Sequence, residues 1–287
     1  MEKKLILTAE TGSDLTPELA QEYGIYLVPM HVTMGEDCLD DGAFPAQAVC
    51  AYYDRTGKVP KTSACNPEDF TKTFDELHAA YPDAHILHLA YSAATTCSYQ
   101  NAGIAGANRE YVTRLDTKQV STAQGLVAIR LALKLREQPE LSVEEAVQYA
   151  KEMAAAIHMC FVPKNLDYLR AGGRVSNVVA LTGNLLGLHP CIETINGELV
   201  VSKKYRGSFH RVIPKLLAEF TEKHHLSRES IHFIRTPGLS AELQALAEDR
   251  ARALGFQKII WRDSGCVITC HGGAGAFGIV GRTAGKR

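Results

Sequence analysis

The chain has no long uninterrupted apolar stretch. Its opening, MEKKLILTAE, carries two lysines and only a short apolar run before Glu10. That run is too short for a signal peptide or a membrane span, so a cytoplasmic protein without stable membrane insertion is expected. An excess of charge is also missing. Lys and Arg number 31 against 32 Asp and Glu, a net of −1, which leaves no global basic field for nucleic acid or an anionic bilayer. The eight cysteines contain no Cys-x-x-Cys pair, and in a long chain they are expected to be reduced thiols, mostly buried. Cys266, Cys270 and His271 lie close together, but their spacing matches no standard zinc knuckle and no second ligand pair follows. No metal or cofactor is expected. There is no Gly-x-Ser-x-Gly elbow, no His-Glu-x-x-His and no Gly-Lys-Ser/Thr phosphate loop.

What is present is an ordinary globular composition, 46% hydrophobic and 22% charged, over 287 residues, comfortable for two domains. The first half alternates strand and helix. KLILTAE reads as a buried strand, and residues 16–23 as a helix with Pro17 at its first position. IYLVPMHVTM reads as an edge or irregular strand broken by Pro29. Helices are predicted near 45–55, 67–80, 97–109, 122–136 and 142–157, with strands HILHLAY and EYVTRLD between them. Such alternation implies βαβ units on a mostly parallel sheet, with helices on both faces and ligands outside the carboxyl ends of the strands. The second half differs. A polar helix ends in paired glycines (LDYLRAGGRV), and Asn196-Gly197 between two apolar runs signals a hairpin. The expected architecture is therefore α/β in two domains. Residues 1–160 form a three-layer α/β/α domain on a parallel sheet, and residues 161–287 a smaller α+β domain with a mixed sheet.

Three polar loops stand out. TSACNPEDF (62–70) begins a helix in good order, with Asn66 as N-cap, Pro67 first, and Glu68 and Asp69 in the positive first turn. Thr62 and Ser63 just ahead of it serve either turn chemistry or a ligand. In YSAATTCSYQNAG, Ser92, Thr95, Thr96, Ser98 and Tyr99 cluster where a strand meets a helix. Helix N-termini attract anions and hydroxyls add uncharged donors, whereas capping needs only Ser92 or Thr95. In CHGGAGAFG, His271 follows a strand-like run, and Gly272, Gly273 and Gly275 permit close backbone approach. Glu10 and Asp14 in ETGSD form either a carboxylate pair or, through Asp14, a helix cap. The inventory holds anions better than it breaks bonds, which favours binding over catalysis.

Taken together these segments resemble the DegV family of bacterial fatty-acid-binding proteins, the binding subunits of fatty acid kinase. TAETGSDLTPELAQEYGIYLVPM, TSACNPEDF, YSAATTCSYQNA, the long segment from LDYLRAGGRVSN to VVSKKYRG, and HGGAGAFG are similar to its motifs in the same order. Departures are Glu-Thr-Gly-Ser-Asp at the opening, Thr96 for a serine, Cys97 for a glycine and Ala274 for a proline.

The resemblance implies an α/β protein that holds one fatty acid between its domains and catalyses nothing itself. Thr62 and Thr96 would hydrogen-bond the carboxylate with His271 nearby, and Ser63 and Ser92 are further candidates. Arg174 and Arg206 would face the catalytic subunit of the kinase, which makes an acyl phosphate. The apolar runs 178–188 and 276–280 are candidate tunnel walls, or else ordinary core. The alternatives are a small-anion regulatory module and a phosphotransferase-like enzyme on the same scaffold.

Overall fold

The computed structural model describes residues 4–175 and 187–285. The first element, β1 (Leu5–Glu10), buries five of its six residues. It lies between β2 (Ile25–Val28) and β6 (His85–Ala90), and β7 (Val112–Asp116) completes a parallel sheet of order β2-β1-β6-β7. A strand hydrogen-bonded on both sides and covered on both faces needs a continuous apolar run, which LILTAE nearly is. Pro29 divides the expected long strand in two. Ile25–Val28 joins this sheet, whereas β3 (His31–Met34) enters a separate sheet of order β4-β3-β5 with β4 (Asp37–Asp40) and β5 (Lys61–Ser63).

The helices are α1 (Pro17–Tyr23), α2 (Gln47–Thr56), α3 (Pro67–Ala80), α4 (Ser98–Gly106), α5 (Ser121–Glu137) and α6 (Val143–Ala156). Asn66 caps α3 as expected. Its side chain accepts from the Glu68 and Asp69 amides at 2.8 and 3.0 Å, and Asp69 Oδ2 accepts from the Asn66 amide at 2.7 Å. Helix α5 is buried over most of its length and runs close to the loop after β1. A Cβ on Gly125 would stand 2.5 Å from the Ser13 carbonyl oxygen. Gly125→Ala should therefore cost about 1–3 kcal/mol of stability in urea denaturation; an unchanged midpoint would show that the contact yields freely.

The chain divides into two compact units, Met1–Phe44 with Thr62–Ala155, and Pro45–Lys61 with Ala156–Arg287. Helix α2 thus belongs to the second unit, which is consequently about as large as the first rather than smaller. Tyr53 on α2 donates to Asp167 Oδ2 at 2.6 Å, and its ring packs 4.8 Å from that of Tyr168.

The second unit is built on a six-stranded mixed sheet of order β10-β9-β8-β13-β11-β12. The strands are β8 (Ile157–Val162), β9 (Leu188–Ile195), β10 (Glu198–Arg206), β11 (Ser230–Arg235), β12 (Lys258–Asp263) and β13 (Phe277–Arg282). The helices are α7 (Leu166–Gly172), α8 (Phe209–Lys223), α9 (Ala241–Ala253) and α10 (Cys266–Gly272). Asn196 and Gly197, at φ 52° and 90°, make the expected tight hairpin between β9 and β10. The run 276–280, a candidate tunnel wall or core, lies within this unit's core, where Phe277 and Ile279 are fully buried in one cluster with Phe233, Val212 and Leu216. The other candidate wall lies, up to residue 186, outside the described residues.

Candidate functional site

The first two polar loops meet in the first unit. Thr62 and Ser63 end β5 rather than lying on a free loop, so successive side chains leave opposite faces. Thr62 is half-buried and Ser63 exposed. Two residues on, the buried Cys65 is the joint between the loops. Its carbonyl accepts from Asn101 Nδ2 on α4 at 2.8 Å, and its thiol contacts the Ser98 hydroxyl. Burial, with Glu10 and Asp69 near, pushes that thiol well above its ordinary pKa, so it stays protonated.

In the second loop the hydroxyls have separate duties. Ser92 is fully buried and its amide donates to the Gln119 carbonyl at 3.0 Å. The Ser92 carbonyl accepts from both the amide and the hydroxyl of Thr95, each at 3.0 Å. Neither Ser92 nor Thr95 caps the helix; Cys97 holds the N-cap position and makes no side-chain cap bond. Thr96 is half-buried at the opening of α4. Its Oγ1 accepts from the Ser98 amide at 3.3 Å and lies 3.3 Å from Ser98 Oγ. This is a hydroxyl pair at a helix start, beyond the carboxyl end of β6, where parallel sheets place ligands.

The third loop belongs to the second unit. His271 stands on α10, not after a strand. Cys266–Gly272 is helical despite its β-type composition, because Gly265 turns the chain in and the residues behind it are buried. Burial, reinforced by the Arg174 guanidinium, lowers the His271 pKa to about 4, so the ring is neutral at pH 7. Gly172, the last residue of α7, makes room for it: a Cβ there would lie 2.4 Å from His271 Nδ1. The glycines after His271 are explained by protein neighbours. Gly273, at φ 71°, would push a Cβ to 2.6 Å from the Tyr168 ring. Thr236 clamps the turn, its Oγ1 donating to the Gly273 carbonyl at 2.6 Å and accepting from the Ala276 amide at 2.7 Å.

Arg174 is exposed and donates to the Gly172 carbonyl at 2.7 Å, beside the Val175–Leu199 bridge. Arg206 is exposed at the end of β10, opposite Leu188. Among the described residues no group of three or more His, Cys, Asp or Glu could hold a metal ion. No helix among them is long and apolar enough to cross a membrane.

Asp14 is not the cap of α1. Thr16 fills that role, accepting from the Leu19 amide at 3.3 Å. Asp14, in the left-handed region at φ 56°, instead accepts from the hydroxyls of Ser121 and, at 3.0 Å, Thr122 at the start of α5. Glu10 does not pair with it either. Glu10 is fully buried and accepts from the Tyr91 amide at 2.9 Å and Gln124 Nε2 at 2.6 Å. Its other oxygen faces His88 Nε2 at 3.4 Å, while His88 Nδ1 lies 3.0 Å from Thr8 Oγ1. Residue-level reading missed His88 and Gln124. The only hint was polar side chains at alternate positions, Thr8 and Glu10, within an apolar strand.

These features define a class: a two-unit α/β protein with a hydroxyl-bearing loop beyond the carboxyl edge of a parallel sheet. A family model described as an uncharacterised protein of the DegV family matches residues 4–283, and the chain belongs to that family. It is 28% identical over 286 residues to a fatty acid-binding protein of Thermotoga maritima, covering 96% of each. It is 25% identical to a DegV domain-containing protein of Caldanaerobacter subterraneus, covering 96% of this chain and 98% of that protein. Among solved structures, a fatty-acid-binding DegV family protein from Thermus thermophilus superimposes with a TM-score of 0.86 at 23% identity, covering 98% of this chain and all of that one. A Thermotoga maritima protein, whose structure reveals a fatty acid binding function, does so with a TM-score of 0.79 at 25% identity, covering 99% of this chain and all of that one.

Proposed function

We propose that this chain binds one long-chain fatty acid and presents its carboxylate to a partner kinase for acyl-phosphate formation, performing no chemistry itself. The observation that carries the reading is the hydroxyl pair at the start of α4, tied through Cys65 to the strand that bears Thr62. Thr96 and Thr62 donate to the carboxylate, Ser63 and Ser92 are subsidiary, and the neutral His271 offers an N–H without a competing charge. Relatives described as fatty-acid binders, alike over nearly the whole chain, support the ligand class.

The energetics agree. Burying an acyl chain contributes about 0.8 kcal/mol per CH₂, so a chain of about 16 carbons brings on the order of 10 kcal/mol before entropic costs. Neutral donors then need only orient the head group. Thr96→Val, nearly isosteric, removes one hydrogen bond to a charged group. It should weaken fatty-acid binding by about tenfold or more in a titration, with the thermal midpoint held close to that of the parent. Unchanged affinity would remove Thr96 from the site. Arg174→Ala and Arg206→Ala should keep the lipid but slow acyl-phosphate formation by the kinase. Loss of the lipid in those variants would place the arginines in the pocket instead.

A further inference from the structure

We propose that Glu10 is a positioning residue for the Tyr91–Thr96 loop, its carboxylate holding the amide from which the loop's geometry is set. The inference rests on reading this loop as a carboxylate site, and it assigns work to a buried acid that the function above leaves unused.

The carboxylate is fixed from several sides. Glu10 ends β1, in register beside β6, so its side chain lies next to the strand from which the loop departs. Gln124 Nε2 on α5 donates both to Glu10 Oε2 and to the Leu89 carbonyl, at 2.6 and 2.8 Å, linking helix, acid and strand end. His88 faces the other oxygen at 3.4 Å and is itself immobilised. Phe70 and Phe74 pack edge-on against its ring at 5.0 and 6.3 Å, and Thr8 lies at its far nitrogen. Within this frame Glu10 Oε2 accepts from the Tyr91 amide at 2.9 Å. The acceptor is fully buried, so no water competes with it for the amide.

From Tyr91 the order propagates outward. Ser92 is held by the Gln119 carbonyl, and the Ser92 carbonyl holds the amide and hydroxyl of Thr95. The Ala93 amide is tied at 3.3 Å to Asp116 Oδ1. Thr96 follows directly. Freeing the Tyr91 amide therefore releases the first link of the series that aims the Thr96 hydroxyl.

Two substitutions separate holding from filling. In Glu10→Gln the side-chain carbonyl still accepts from Tyr91 and Gln124, and the amide nitrogen takes the place of the oxygen that faces His88 Nε2. Glu10→Met keeps the volume and removes the acceptor. In the full-length protein, amide hydrogen exchange over 93–96 should accelerate about tenfold or more in Glu10→Met, and affinity for a fluorescent C16 fatty acid should fall by a similar factor. Glu10→Gln should restore both to within about twofold of the parent. Parental exchange and affinity in Glu10→Met would overturn the assignment, as would failure of Glu10→Gln to restore them. Should Glu10→Met not fold, Gln124→Met must still raise exchange over 93–96, and unchanged exchange would overturn it equally. If the parent itself takes up no fatty acid while Glu10→Met still accelerates exchange, the ligand reading fails and the positioning role stands.

Discussion

Acidification from pH 7 to about 4.5 is expected to unfold the second unit, with the emission of Trp261 moving to the red. Trp261 is the chain's single tryptophan and packs on Phe233 and Phe277 in that unit's core, 5.0 and 6.1 Å between ring centres. Three histidines there are held neutral, each with its pKa lowered to about 4. Burial and Arg262 act on His232, burial and Arg174 on His271, and burial and His224 on His158. Their folded pKa values lie below the unfolded one, so the unfolded chain binds more protons below about pH 6.5. Their stabilisation is thus complete above pH 6.5 and is lost as pH falls towards 4. His232 and His271 alone remove about 2.7 kcal/mol per pH unit across that window, against a total of about 5–15 kcal/mol for a typical domain. Glu193 acts in the same direction lower down. Hydrogen bonds from His224 and Lys223 outweigh its burial and bring its pKa to about 2, so its contribution is lost below about pH 4.5. His232→Leu should shift the acid midpoint downward. A parent that keeps its fluorescence to pH 3.5 would contradict the account.

Gly172→Ala should destabilise the protein by about 1–3 kcal/mol, and the loss should shrink when His271 is also removed. The new methyl group would lie 2.4 Å from His271 Nδ1, closer than carbon and nitrogen can stand. Either the ring or the end of α7 must move. His271→Ala leaves a space of its own and also costs stability, but the methyl group at 172 fits that space. In a double-mutant cycle by urea denaturation the pair should therefore lose less than the sum of the singles, by about 1–3 kcal/mol. Strict additivity would show that Gly172 does not accommodate the ring.

Much of this architecture was legible in the residues. Asn66-Pro67-Glu68-Asp69 announced α3, and Asn196-Gly197 announced the hairpin, because caps and tight turns are set by neighbours in sequence. What was misread depends on distant packing. CVITC has strand-like composition, yet it forms α10 because burial outweighs a weak local preference. Strand β8 follows α6 without a break at Ala156–Ile157, and the expected helix, ending at 157, left the rest of that strand unassigned. Nothing local assigns α2 to the second unit. The hydroxyls of the site were visible as a cluster, but their division of labour was not. That Ser92 and Thr95 bind each other while Thr96 stands at the helix start is a matter of backbone geometry. Gly172 and Glu10 were visible as residues, but their roles were beyond reach for a further reason: each acts through a partner far along the chain.

Mass spectrometry of the purified protein, first native and then after solvent extraction, tests the central claim most directly. The account predicts one long-chain fatty acid per chain, released on denaturation. A protein that carries no lipid and takes up none when fatty acids are added would contradict it.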